Sequence, residues 1–327
     1  LTGDTPPGTK VFTFKLAEDP DNPKGATLPA SRETTITYEK QIDTDNARQA
    51  SFGDITFENA GIFKFIITEE QGKEGDGYTY DEAQWTLTVN VEDEGGKLKV
   101  ESYSYAKDGE TVTGAEAAAF ENSYEVKPTD YTPGVTKAMT GADRQEAQKY
   151  EFTLTPGENN PEGGATSTDA EASITVPKDT AVNTEVSPTD DGFGKITFEK
   201  AGTYTFTIQE KIPEKAAEND NKLNGVTYDN SEWTLTVVVE DEGSQLKVTS
   251  HTYTKADGSP NDDAAKFVNG YEVKPTDFTP DVRKTVTGEI RPAEETFTFT
   301  LTADKGNPDG GAAFTDGQAT VSVPQGG

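Results

Sequence analysis

Lys137, Glu210 and Asn269 each stand where strand alternation calls for a hydrophobic residue. Val135, Lys137 and Met139 alternate along one face, as do Tyr204, Phe206, Ile208 and Glu210, and Phe267, Asn269 and Tyr271. Alternate side chains of a strand point to opposite faces, so each polar group shares its face with apolar neighbours. A buried amine, carboxyl and amide need partners, and one another are the most economical ones. Burial favours the neutral forms of lysine and glutamate. A neutral amine is a nucleophile, and a neutral carboxylic acid can hydrogen-bond an amide carbonyl and polarise it. The chemistry open to this trio is attack of the Lys137 amine on the Asn269 side-chain amide. Ammonia would leave and the carboxyl would shuttle the proton, in a single turnover with the protein as its own substrate. The plainer reading is a buried Lys–Glu pair with a hydrogen-bonded asparagine, kept for structure alone.

Positioning these groups takes strands. The 327 residues are rich in threonine, valine, tyrosine and phenylalanine, with 31 glycines and 18 prolines as punctuation. No long stretch carries an apolar helical period, so the reading is all-β. With 31% hydrophobic residues and a mean hydropathy of -0.73, the core must be thin, as in small sandwiches with one solvated face per sheet. The net charge of -30 makes nucleic acid and anionic membrane surfaces poor partners. The absence of cysteine excludes disulfides, thiolate metal sites and cysteine nucleophiles. No apolar run has the length of a membrane span, and no signal peptide or anchor is evident, so for an exported protein a processed piece or fragment is expected.

The chain repeats itself. Asp54-Ile-Thr-Phe-Glu-Asn-Ala-Gly returns as Lys195-Ile-Thr-Phe-Glu-Lys-Ala-Gly, and Gly77-Tyr-Thr-Tyr-Asp returns as Gly225-Val-Thr-Tyr-Asp. Each of the latter precedes a Trp-Thr-Leu-Thr-Val strand at Trp85 or Trp233. Tyr124-Glu-Val-Lys-Pro-Thr-Asp returns at Tyr271, 147 residues later, a period that suits a whole domain. A third copy begins with Lys284-Thr-Val-Thr-Gly, the counterpart of Lys137-Ala-Met-Thr-Gly. The expected organisation is a first repeat over 1–127, a complete repeat over 128–274 and the start of a third over 275–327. Strands of the second are expected near 134–139, 149–155, 172–176, 194–199, 202–210, 233–240, 245–254 and 266–272. The proline-flanked 128–133 segment reads as a semi-rigid joint. Tandem Ig-like β-sandwich domains arranged end to end follow.

The polar residues recur with the repeats. Glu69 follows Phe63, Phe65 and Ile67; Asn122 lies between Phe120 and Tyr124; Lys284 lies between Val282 and Val286. Leu1-Thr-Gly aligns with Met139-Thr-Gly, so the first repeat lacks its lysine in this sequence, and Lys10 and Lys15 align with Gln148 and Thr153 instead. Lys284 lacks a glutamate and an asparagine of its own.

This combination resembles the pilin isopeptide-linkage domain of Gram-positive surface proteins, the type found in the major pilin of streptococci. The residues that carry the resemblance are Lys137 before Thr-Gly, the Gly202 to Glu210 strand, Gly225-Val-Thr-Tyr-Asp with Trp233, and Phe267-Val-Asn269-Gly-Tyr271. It implies a lysine on the first strand, an asparagine on the last and an assisting glutamate between them, here Lys137, Asn269 and Glu210, with Glu69 assisting in the first repeat. It also implies an extracellular, wall-attached or pilus setting, with neighbouring copies or filament subunits as partners, no cofactor and no turnover enzyme. The function expected is a structural stalk; the alternative is an adhesin whose loops bind host protein or glycan.

Other signals are weaker. His251, the sole histidine, shares a face with Lys247 and Thr249 by simple alternation and reads as solvated. The acidic stretches Asp19-Pro-Asp21-Asn22, Asp43-Thr-Asp45 and Glu218-Asn-Asp220 lack EF-hand spacing and read as solvated turns. Trp85 and Trp233 read as core packing. The Gly-Gly pairs at 95, 163 and 310 have no phosphate-binding pattern after them.

Overall fold

The computed structural model describes residues 1–39, 48–144, 146–290, 293–313 and 317–325. Among these the chain is almost entirely strands; the exception is one turn of helix, Glu214–Ala217, following Pro213. Two compact units divide it, Leu1–Glu272 and Val273–Gly327. The first contains both long repeats.

In the second repeat a six-stranded antiparallel sheet runs Glu171–Val176, Gln148–Pro156, Gly202–Glu210, Glu232–Asp241, Leu246–Lys255, Pro260–Asn261. A four-stranded sheet runs Val135–Gly141, Ala265–Tyr271, Val226–Thr227, Lys222–Leu223. Tyr150, Phe152, Leu154, Tyr204, Phe206, Ile208, Leu235 and Val237 bury their side chains against Val135, Met139, Ala265 and Phe267. Burying each large apolar side chain is worth about 1.5–3 kcal/mol. The first repeat repeats the six-stranded sheet, from Glu33–Tyr38 to Glu110–Thr111, around Phe63, Phe65 and Trp85.

The first and last strands of the second repeat pair side by side in parallel, with Lys137 opposite Phe267 and Met139 opposite Asn269. This contact needs glycine. Gly141 has φ +91°, and a Cβ there would lie 2.2 Å from the Tyr271 carbonyl oxygen. Gly3 repeats the arrangement against Tyr124 at 2.3 Å. The glycine of the Thr-Gly after the lysine position is therefore a backbone requirement of the strand pair.

Two expectations change in the second repeat. The 128–133 segment, expected to be a semi-rigid joint, pairs as a strand within the second repeat. Thr129–Tyr131 pairs with Ile196–Phe198, Lys127 N–H donates to the Ser244 carbonyl at 2.7 Å, and Tyr124 Oη donates to Asp241 Oδ2 at 2.5 Å. His251 is not on the solvated face. A bulge at Val238/Val239 leaves Thr249 unpaired and shifts the register, so His251 lies opposite buried Val237 and on the face of Tyr253. Tyr131 covers it, with ring centroids 4.8 Å apart.

In the unit Val273–Gly327, Glu295–Thr300 pairs with Gln318–Val323. Lys284 is exposed and lies in no strand, contrary to the alternating strand expected at 282–286; no partner strand for it exists among the described residues. Its Nζ sits 4.7 Å from the Phe297 ring centroid.

Candidate cross-linking site

Lys137 enters from the first strand, Asn269 from the last, and Glu210 from the final position of Gly202–Glu210 on the facing sheet. All three side chains come together in the buried core. Lys137 and Asn269 are 0% exposed, and the Glu210 side chain is equally covered. Lys137 Nζ lies 2.6 Å from Glu210 Oε2, and Asn269 Nδ2 donates to Glu210 Oε1 at 2.8 Å. One carboxyl thus touches both nitrogens of the pair. Tyr150 walls the amine, its ring centroid 4.8 Å from Nζ, and Phe152 packs on Phe267 at 5.2 Å.

Burial pushes the Lys137 amine below its ordinary value against the opposing pull of Glu210. Burial likewise pushes Glu210 above the usual carboxylate range, against Lys137 and the Asn269 hydrogen bond. Both shifts favour the uncharged forms.

The sequence reading put the acid on the asparagine carbonyl. The structure has it on the amide nitrogen instead. The carbonyl oxygen, Asn269 Oδ1, accepts from the backbone N–H of Asp229 at 2.7 Å. A carbonyl must face that donor, so the amide can point only one way. Asp229 escaped the sequence reading because a main-chain donor has no residue type. Its one trace in the sequence is the recurrence of Tyr-Asp at Tyr80-Asp81 and Tyr228-Asp229.

The first repeat holds the same frame. Asn122 Nδ2 donates to Glu69 Oε1 at 2.6 Å, and Asp81 N–H donates to Asn122 Oδ1 at 2.7 Å. Glu69 Oε2, the counterpart of the oxygen that meets Lys137, is buried with no hydrogen-bond partner among the described residues. Lys10 and Lys15 pair elsewhere, with Asp76 at 3.0 Å and Glu70 at 3.1 Å. Lys284 belongs to the other unit and is exposed.

Burial raises the folded-state pKa of Glu69. A carboxyl raised on folding contributes stability that is complete below its unfolded value, near 4.5, and is lost as pH rises through the folded value. The first repeat is therefore expected to unfold at higher denaturant in mild acid than at neutral pH, relative to Glu69→Gln, which should lack this dependence. Trp85 fluorescence in a Trp233→Phe background reads it. Parallel pH profiles for the two proteins would contradict it.

Of the weaker signals, Asp19 and Asn22 spend their side chains on backbone groups, Asp21 N–H and Lys64, and Asp43 and Asp45 lie outside the described residues. Trp233 is buried and donates to the Lys266 carbonyl at 3.2 Å.

The arrangement defines a β-sandwich repeat whose first and last strands meet over a shared buried glutamate. The family model for the FctA, Spy0128-like isopeptide containing domain matches residues 1–125 and 133–272, and the chain belongs to that family. A pilin of Streptococcus pyogenes serotype M1 is 25% identical over 269 residues, covering 79% of this chain and 68% of that protein. The solved major pilin of Streptococcus pyogenes is 17% identical with a TM-score of 0.33, covering 82% of this chain and 93% of that one. The T3.2 major pilin of the same species is 16% identical with a TM-score of 0.30, covering 83% and 92%.

Proposed function

We propose that the chain is a stalk segment of a bacterial surface pilus or fibre, and that its second repeat closes a Lys137–Asn269 isopeptide bond with Glu210 as proton relay. The observation that carries this is the contact of one buried carboxyl with both reacting nitrogens, Nζ on Oε2 and Nδ2 on Oε1. The uncharged amine attacks Cγ of Asn269. Its surplus proton passes to Glu210 Oε2, and a proton from the carboxyl reaches Nδ2 through Oε1. The Cγ–Nδ2 bond breaks, ammonia leaves, and Glu210 ends as it began. Enclosure supplies proximity, and no second substrate is needed. The partners that suit such a segment are neighbouring repeats and other filament subunits, outside the cell.

Family membership supports the structural role, and the parallel pairing of first and last strands supports a load-bearing use of the bond. Intact mass under denaturing conditions tests it. The chain is expected to be lighter than its sequence mass by one ammonia, and Glu210→Ala is expected to restore the full mass. A wild-type protein at full sequence mass contradicts the bond.

A further inference from the structure

We infer that Asp229 is a positioning residue for this reaction: its carboxylate braces the local backbone so that its own N–H holds the Asn269 carbonyl where negative charge develops. The inference rests on the cross-linking proposal and adds a group outside its Lys–Glu–Asn trio.

Attack on an amide carbon puts charge on the carbonyl oxygen, and a fixed N–H aimed at that oxygen stabilises the transition state more than the ground state. Glu210 cannot fill that role, because its oxygens are engaged with the two nitrogens. The donor on Asn269 Oδ1 is Asp229 N–H. What fixes this N–H is the side chain of the same residue. Asp229 Oδ2 accepts from Val268 N–H at 2.8 Å, on the strand that carries Asn269, and Oδ1 accepts from Ser231 N–H at 2.9 Å. The carboxylate therefore ties the donor loop to the acceptor strand. Burial pushes Asp229 up, but these hydrogen bonds outweigh it and leave the carboxyl below its ordinary value, so it braces as an anion. Its charge also favours the protonated form of Glu210.

The first repeat supplies an independent second instance. Asp81 Oδ2 accepts from Glu121 N–H at 3.1 Å, next to Asn122, and Oδ1 accepts from Ala83 N–H at 2.9 Å, while its N–H donates to Asn122 Oδ1. No described lysine reaches Glu69 Oε2 there, and the brace forms without one.

The test is the rate of ammonia loss by the full chain, made by cell-free synthesis and quenched in acid at intervals for intact mass. Asp229→Ala should slow the reaction roughly 100-fold, the scale of losing one oxyanion donor. Asp229→Asn keeps one acceptor but turns an N–H donor toward a backbone N–H, and should slow it about tenfold. Val237→Ala, destabilising but remote, should keep the wild-type rate. Asp81→Ala should also react at the wild-type rate, and reports the structural cost of the same change on repeat one. Hydrogen exchange checks that each variant is folded; if Asp229→Ala is not, Asp229→Asn decides. A folded Asp229 variant that reacts as fast as wild type overturns the inference, as does slowing that merely tracks stability and appears equally in Val237→Ala. A wild-type chain that never loses ammonia removes the underlying reaction instead.

Discussion

Lys137→Met is expected to lower the stability of the second repeat by about 5 kcal/mol, and Glu210→Ala by several kcal/mol more. Both variants lose the proposed cross-link, which closes a loop of more than a hundred residues and in the chain-entropy model stabilises by about 5 kcal/mol. They differ in what remains. Lys137→Met leaves a glutamate that protonates and keeps its Asn269 hydrogen bond. Burial favours the neutral carboxyl, so this substitution leaves no uncompensated charge in the core. Glu210→Ala strands the Lys137 amine in a core where no other carboxylate among the described residues lies within bonding distance, and breaking a buried pair in this way costs about 3–5 kcal/mol. Guanidinium unfolding followed by Trp233, in a Trp85→Phe background, measures the order. Lys137→Met with a wild-type midpoint would remove the covalent contribution, and equal midpoints for the two variants would remove the buried-amine term.

Force applied to the two termini is expected to leave the second repeat unextended. The strands that receive the load, Val135–Gly141 and Ala265–Tyr271, lie side by side in parallel. A Lys137–Asn269 bond between them takes the load directly, and the chain between those residues drops out of the force path. In Glu210→Ala that chain can be pulled out, at ~3.4 Å per residue a release of about 450 Å. Single-molecule extension should show this step in the variant and not in the wild type. The first repeat, in which no described lysine reaches Glu69 Oε2, should unravel in both and serves as the internal reference. A full-length step from the wild-type second repeat would contradict the load-bearing role.

The trio itself was legible in the sequence because its signal is one of contrast. A lysine, a glutamate and an asparagine on otherwise apolar faces can be read from strand parity alone, and repetition at Glu69 and Asn122 strengthens the reading. Parity fails wherever the ladder slips. The bulge at Val238/Val239 turned His251 from an expected solvated position to the core face, and a bulge of this kind has no reliable mark in a single strand. The 128–133 segment reads as a linker because of its prolines, yet Thr129–Tyr131 finds a strand partner some 65 residues away, which composition cannot reveal.

What the sequence determined by itself was the alternation that buries Lys137, Glu210 and Asn269, and the period of the repeats. Only the tertiary structure decided which atoms meet. Glu210 lies on the amide nitrogen and Asp229 N–H on the carbonyl, because the facing sheet delivers the carboxyl from one side and a braced loop delivers the main chain from the other. Side-chain types are written in the sequence. The direction of a backbone N–H is set by the fold around it, and in this site that direction decides where charge can develop.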